Sequence, residues 1–77
     1  MIRITHTGQK FLSVSDELVE IKYLSNDGKG FRHYGYIGDK RYDYTTDGKA
    51  FAVLGRNNKH HNLKRELTQK TDPEYFL

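Results

Sequence analysis

At 77 residues with 35% hydrophobic side chains, the chain has room for one small domain and for no second core. Six tyrosines and four phenylalanines supply the bulk of a thin core and argue against a disordered polymer. Cysteine is absent, which excludes disulfides, thiolate metal sites and a cysteine nucleophile and fits a reducing, cytoplasmic setting; a net charge of +3 admits nucleic acid or acidic partners without requiring them.

In chain order, Ile2-Arg3-Ile4-Thr5 and Lys10-Phe11-Leu12-Ser13-Val14 predict one or two short N-terminal strands. The opening residues carry no apolar signal core, and the longest apolar run is Ala50-Phe51-Ala52-Val53-Leu54, so secretion and membrane spanning are disfavoured. Val19, Ile21 and Tyr23 alternate and are good strand formers, predicting a strand over 18–24. The same stretch also reads as a helix capped by Ser15-Asp16-Glu17 with Leu18, Ile21 and Leu24 on one stripe. The strand is preferred.

The pattern D-G-K-x-F occurs twice, at Asp27 to Phe31 and at Asp47 to Phe51. Asp-Gly between alternating segments is a hairpin signal, because a type I′ turn needs positive φ at both central residues. Read as two-residue turns, these pair Leu24 with Phe31, Tyr23 with Arg32, Ile21 with Tyr34, Val19 with Tyr36, Tyr44 with Phe51 and Tyr42 with Val53. A three-residue link at Gly38-Asp39-Lys40 sets Tyr36 against Tyr42 and Tyr34 against Tyr44, and keeps the apolar face continuous. The prediction is a meander of strands at about 18–24, 31–37, 41–46 and 49–54. Beyond it, Gly55-Arg56-Asn57-Asn58-Lys59 is turn-rich, Asn58 is placed to cap, and Leu63 and Leu67 predict a short helix over about 60–70 that ends before Asp72-Pro73.

The fold class expected is thus mainly β (α+β): a four-stranded antiparallel meander with one or two short N-terminal strands, forming a small sheet or SH3-like barrel with a short C-terminal helix. Residues 1–71 make the domain. Residues 72–77 form a tail that either docks on the sheet or serves as an interaction segment.

In a meander, alternate turns share an end. Gly38-Asp39 and the exit of the last strand therefore gather Lys40, Arg41, Arg56, Lys59, His60 and Lys64, in a stretch where no acid occurs between Asp47 and Glu66. Basic side chains at a helix N-terminus are unfavourable unless an anion compensates, so these six residues are the candidate anion or nucleic-acid contacts. Tyr34, Tyr36, Tyr42 and Tyr44 form a second candidate, an aromatic surface of the kind on which unpaired bases stack. The preferred reading makes that tyrosine face the core, covered by Leu63 and Leu67, with Glu20, Lys22, His33, Arg41 and Asp43 on the wet side.

The four histidines lack zinc-ligand spacing, no calcium loop is present, and no nucleophile elbow or cofactor fingerprint accompanies the polar residues. No metal, cofactor or enzymatic activity is expected. The leading functional expectation is a non-enzymatic module binding nucleic acid or another polyanion. The alternative is a regulator or inhibitor of another protein; short, cysteine-free, tyrosine-rich chains of this kind resemble phage or bacterial accessory proteins in style. Edge-strand pairing would allow a homo-oligomer.

Overall fold

A computed structural model describes residues 2–25, 32–52 and 55–77. Five strands, β1 (Lys10–Ser13), β2 (Leu18–Tyr23), β3 (His33–Ile37), β4 (Lys40–Tyr44) and β5 (Leu63–Leu67), form one antiparallel sheet in the order β4-β3-β2-β1-β5. The fold is mainly β, as expected, but the sheet is open, with β4 and β5 at its edges instead of a closed SH3-like barrel. Residues 18–23 are strand and not helix. Ser15-Asp16-Glu17 belongs to a hairpin loop in which Asp16 takes a left-handed φ of 61° and Ser13 Oγ accepts from the Ser15 and Glu17 N–H groups.

The expected helix over 60–70 is replaced by a 3-10 turn at Lys59–His61 and by β5. Leu63 and Leu67, four apart, suggest a helical stripe, yet they serve opposite faces of the sheet. Leu63 lies opposite Ser13 and joins the core, and a bulge at Lys64 resets the alternation so that Arg65 and Leu67 face the other way. The edge of β1 needs partners for its backbone, and a helix this short gains little on its own in water. Of the one or two N-terminal strands expected, one forms, β1, and the described residues 49–52 are not a strand. Ile2 to Thr5 is an extended cover whose Ile4 N–H donates to Thr46 O (2.8 Å), and the described part of 49–54, residues 49–52, contributes an isolated bridge, Tyr44 to Ala50. Tyr44 therefore pairs with Ala50 and not Phe51. The Asp27-Gly28 turn, its Leu24 to Phe31 pair, and Val53 lie outside the described residues.

The largest departure concerns β3. The β3–β4 link is a two-residue turn, Gly38-Asp39, with Gly38 at φ 63°, so Ile37 meets Lys40, Tyr36 meets Arg41, Gly35 meets Tyr42 and His33 meets Tyr44. On the other side Glu20 pairs with Tyr36 and Ile21 with Gly35, and a bulge at Lys22 sets Tyr23 opposite Tyr34. Both registers are one residue from expectation, and beyond the bulge Tyr23, expected opposite Arg32, is two away. Because side chains alternate, β3 turns over while β4, and β2 as far as the bulge, keep their facing. His33, Gly35 and Ile37 point inward with Val19, Ile21, Tyr42 and Tyr44; Tyr34 and Tyr36 point outward. His33, expected on the wet side, is buried, and the four tyrosines do not share a face.

The inner core is Ile4, Phe11, Val19, Ile21, Tyr44 and Leu63, with Ile2, Leu24, Ile37, Tyr42 and Ala50 against it. Each fully buried apolar side chain of this size contributes about 1.5–3 kcal/mol. Among the described residues the outer face is covered over β1 and β5. There the 3-10 turn Pro73–Phe76 follows Asp72, which takes a bidentate pair from Arg65 (2.9 and 3.1 Å). Lys10 Nζ donates to Tyr75 O (2.8 Å) and sits 4.6 Å from the Phe76 ring centroid. Leu67 is buried on this side. The tail thus docks on the sheet.

Two outcomes follow from β3. A Cβ on Gly35 would lie 2.6 Å from Glu20 O and 3.2 Å from Ile21 Cδ1, so Gly35→Ala should cost about 1–3 kcal/mol by overpacking, read from urea midpoints. His33 Nε2 shares a hydrogen bond with Thr46 Oγ1 (2.9 Å) while Nδ1 accepts from the Ser25 N–H (3.1 Å), and burial pushes its pKa down. Below an unfolded-state value of about 6.5 the unfolded chain then takes up the proton first, so His33's contribution is full above that pH and declines as pH falls toward the folded pKa. His33→Asn should flatten this part of the stability profile.

Candidate nucleic-acid interface

Strand direction decides which loops share an end. β1 and β3 run one way and β2, β4 and β5 the other, so the 14–17 loop, the Gly38-Asp39 turn and the Lys59–His61 turn lie together. Direct contacts tie this end. Val14 N–H donates to Asn62 O (2.8 Å), Ser15 Oγ donates to His60 O (2.7 Å), and the His61 ring lies 4.3 Å from that of Tyr42 on β4. The helix that was to supply an anion-binding N-terminus is absent. Asn58 makes no side-chain cap and its Nδ2 donates instead to Phe51 O (2.9 Å).

The six basic candidates divide by partner. Lys40, Arg56, Lys59 and His60 are exposed and make no ion pair with a described acid. Lys64 pairs with Asp16 (2.6 Å), whose carboxyl is held below its ordinary pKa chiefly by that hydrogen bond. Arg41 belongs to the outer face. Its Nε donates to Asp43 Oδ1 (2.9 Å), Arg32 Nε donates to Asp43 Oδ2 (2.7 Å), and its guanidinium carbon lies 4.0 Å from the Tyr34 ring centroid. Burial pushes the Asp43 carboxyl up, but the two arginine hydrogen bonds and charges outweigh it and leave the group below its ordinary value. Two cations on one anion leave an excess positive charge, and both arginine side chains are more than half exposed, at 56% and 54%.

Around this pair stand three tyrosines. Tyr23 stacks on Tyr34 with centroids 5.1 Å apart and planes 13° apart, and Tyr36 lies 6.1 Å from Tyr34 at 56°. Of the four tyrosines singled out by sequence, Tyr34 and Tyr36 are here. Tyr42 packs inward, and Tyr44 is fully buried with its hydroxyl donating to His61 O (2.9 Å) and its pKa pushed up by burial. Tyr23, which alternation assigns to the core, is the member sequence reasoning missed. Only the bulge at Lys22 brings it outward, and no local residue pattern announces that bulge.

A second polar cluster anchors the shared end. His61 Nδ1 meets Glu17 Oε1 at 2.7 Å, the same oxygen accepts from Ser13 Oγ (3.0 Å), and the His60 ring packs 3.9 Å from that of His61. Ser13 is fully buried, so this cluster works as a strut between the first hairpin and the approach to β5. Its partners are 44 residues apart, which leaves no sequence signal. Among the described residues no group of three or more His, Cys, Asp or Glu is placed to hold a metal ion, and no helix is long and apolar enough to cross a membrane.

No protein family, characterised protein or solved structure has significant similarity to this chain, so the functional reading rests on the site's own chemistry. For the strut, Glu17→Ala leaves Ser13 Oγ and His61 Nδ1 without their acceptor and should destabilise the fold by about 1–3 kcal/mol, with Glu17→Gln milder, read by denaturant titration.

Proposed function

We propose that the chain is a small non-enzymatic binding module for a polyanion, nucleic acid foremost, engaged through Lys40, Arg56, Lys59 and His60 with Arg41 and Lys64 alongside. The observation that carries this reading is that the first four make no ion pair with a described acid, with Lys40, Lys59 and His60 at one end of the sheet and no acid in the stretch 48–65. Arg3, Lys49 and Lys70 are also without a described ion-pair partner; Lys49 sits between Gly48, whose O accepts from the Leu63 N–H (2.8 Å), and Ala50, whose N–H donates to Asn62 Oδ1 (2.8 Å), and so adds a further cation near the start of β5. Phosphates would replace solvent around cations whose neutralisation costs no existing ion pair, and the released counterions would drive association.

The alternative, a phage- or bacteria-type accessory protein that regulates or inhibits another protein, draws on different residues. Val14, Leu18 and Tyr23 are exposed apolar or aromatic side chains of the kind that dock a partner.

Binding of fluorescent oligonucleotides, followed by anisotropy over a salt series, tests the first reading. With about five phosphates neutralised, log affinity should fall against log salt with a slope of about −4, and Lys40→Ala or Lys59→Ala should each reduce that slope by about 1. Absence of binding at about 50 mM salt rejects it. A protein captured in a pull-down that resists both nuclease and salt would support the alternative.

A further inference from the structure

We propose that the outward tyrosine ladder of β2 and β3 is a stacking platform for unpaired bases, so that the nucleic acid taken is single-stranded; this rests on the polyanion reading above. The residues are Tyr23, Tyr34, Tyr36 and Arg41.

The ladder runs across the strands. Arg41 from β4 lies over one side of the row, Tyr34 of β3 is next, and Tyr23 at the end of β2 follows nearly parallel to it. Tyr34 is thereby held by neighbours and acts as the spacer. Among the described residues Tyr23 ends the row, 49% exposed and with Tyr34 as its one ring partner. A base laid on Tyr23 would extend an ordered stack, with the ring already oriented and little side-chain freedom left to lose.

Tyr36 offers a second position. It lines a groove of about 300 Å³ with Leu18, Glu20, Lys22 and Gly38, at the small end of the range for ligand pockets. The Glu20 carboxylate there is matched by Lys22 Nζ at 3.1 Å, so the groove carries no uncompensated negative charge from that pair.

The surroundings favour a nucleic-acid strand over an apolar partner. Asp43 is almost covered by Arg32 and Arg41, whose exposed guanidinium groups present positive charge beside the rings. The ladder also leads toward the Gly38-Asp39 turn and the unpaired Lys40, so a strand whose bases lie on tyrosines can place its phosphates on cations. In a duplex the base faces are occupied by their neighbours. Single strands leave the faces open.

The test compares four probes of equal length at about 50 mM salt: an oligothymidine, a mixed-sequence single strand, its duplex, and an abasic strand with the same number of phosphates. The expected result is tighter binding of both base-bearing single strands than of the duplex or the abasic strand, with quenching of tyrosine fluorescence. Tyr23→Leu and Tyr36→Leu keep apolar bulk while removing the π-face, and each should weaken single-strand binding by about 5- to 150-fold while leaving duplex binding unchanged. Lys59→Ala should weaken all probes together. Equal affinity for abasic and base-bearing strands, or leucine variants that bind single strands as the parent does, overturns the stacking platform while the polyanion reading stands. Failure of every probe to bind overturns both. Circular dichroism of each variant confirms that the sheet is intact before its affinity is read.

Discussion

The close approach of β3 to β2 at Gly35 is the contact on which the two faces of this sheet depend. With no Cβ at that position, Glu20 O and Ile21 Cδ1 occupy the space a side chain would take. Inward-facing Gly35 makes room for Ile21 and Tyr42, and inward-facing His33 finds the Ser25 N–H and Thr46 Oγ1. A tyrosine at either inward position would have to displace the packed side chains beneath. The two-residue Gly38-Asp39 turn and the bulge at Lys22 hold β3 in this facing from both sides, and Tyr34 and Tyr36 are put in solvent as a result.

From that facing follows a division between the halves of the outer surface. Over β1 and β5 the tail closes it, through the Arg65–Asp72 pair and Lys10 beneath Tyr75 and Phe76, and Leu67 is buried. Hydrogen bonds from Arg65 and Thr71 hold the Asp72 carboxyl below its ordinary pKa, which favours the docked arrangement at neutral pH. Over β2, β3 and β4 no segment among the described residues performs this role, and aromatic rings and guanidinium groups meet water. The proposed binding surface is therefore the part of the sheet that no described segment covers.

Much of the strand content was legible because its causes are local. Val19 and Ile21 alternate with Glu20 and Lys22, and Lys10 to Ser13 carries a buried residue at every second position; both segments became strands. Leu63 and Leu67 misled because a spacing of four fits one helical face and equally fits a bulged strand that serves both faces of a sheet. Tyr34 and Tyr36 misled because hydrophobic alternation marks two faces without saying which is inward. A glycine between a histidine and an isoleucine looks like the weaker set until the inner volume is seen to be filled already by Phe11, Ile21 and Tyr44.

For the candidate site the basic residues were readable, since an acid-free stretch is a property of composition, and antiparallel strand order then assigns Lys40 and Lys59 to one end. Their freedom from partners was not, because Asp16 lies 48 positions from Lys64. The sequence alone thus determined a cysteine-free, tyrosine-rich, mildly basic β domain and the place of the link at Gly38-Asp39, all of which follow from composition and short-range backbone preference. Tertiary structure decided the facing of β3, the recruitment of 63–67 into the sheet and the exposure of Tyr23, because each depends on a one-residue register or a backbone edge supplied by residues distant in the chain.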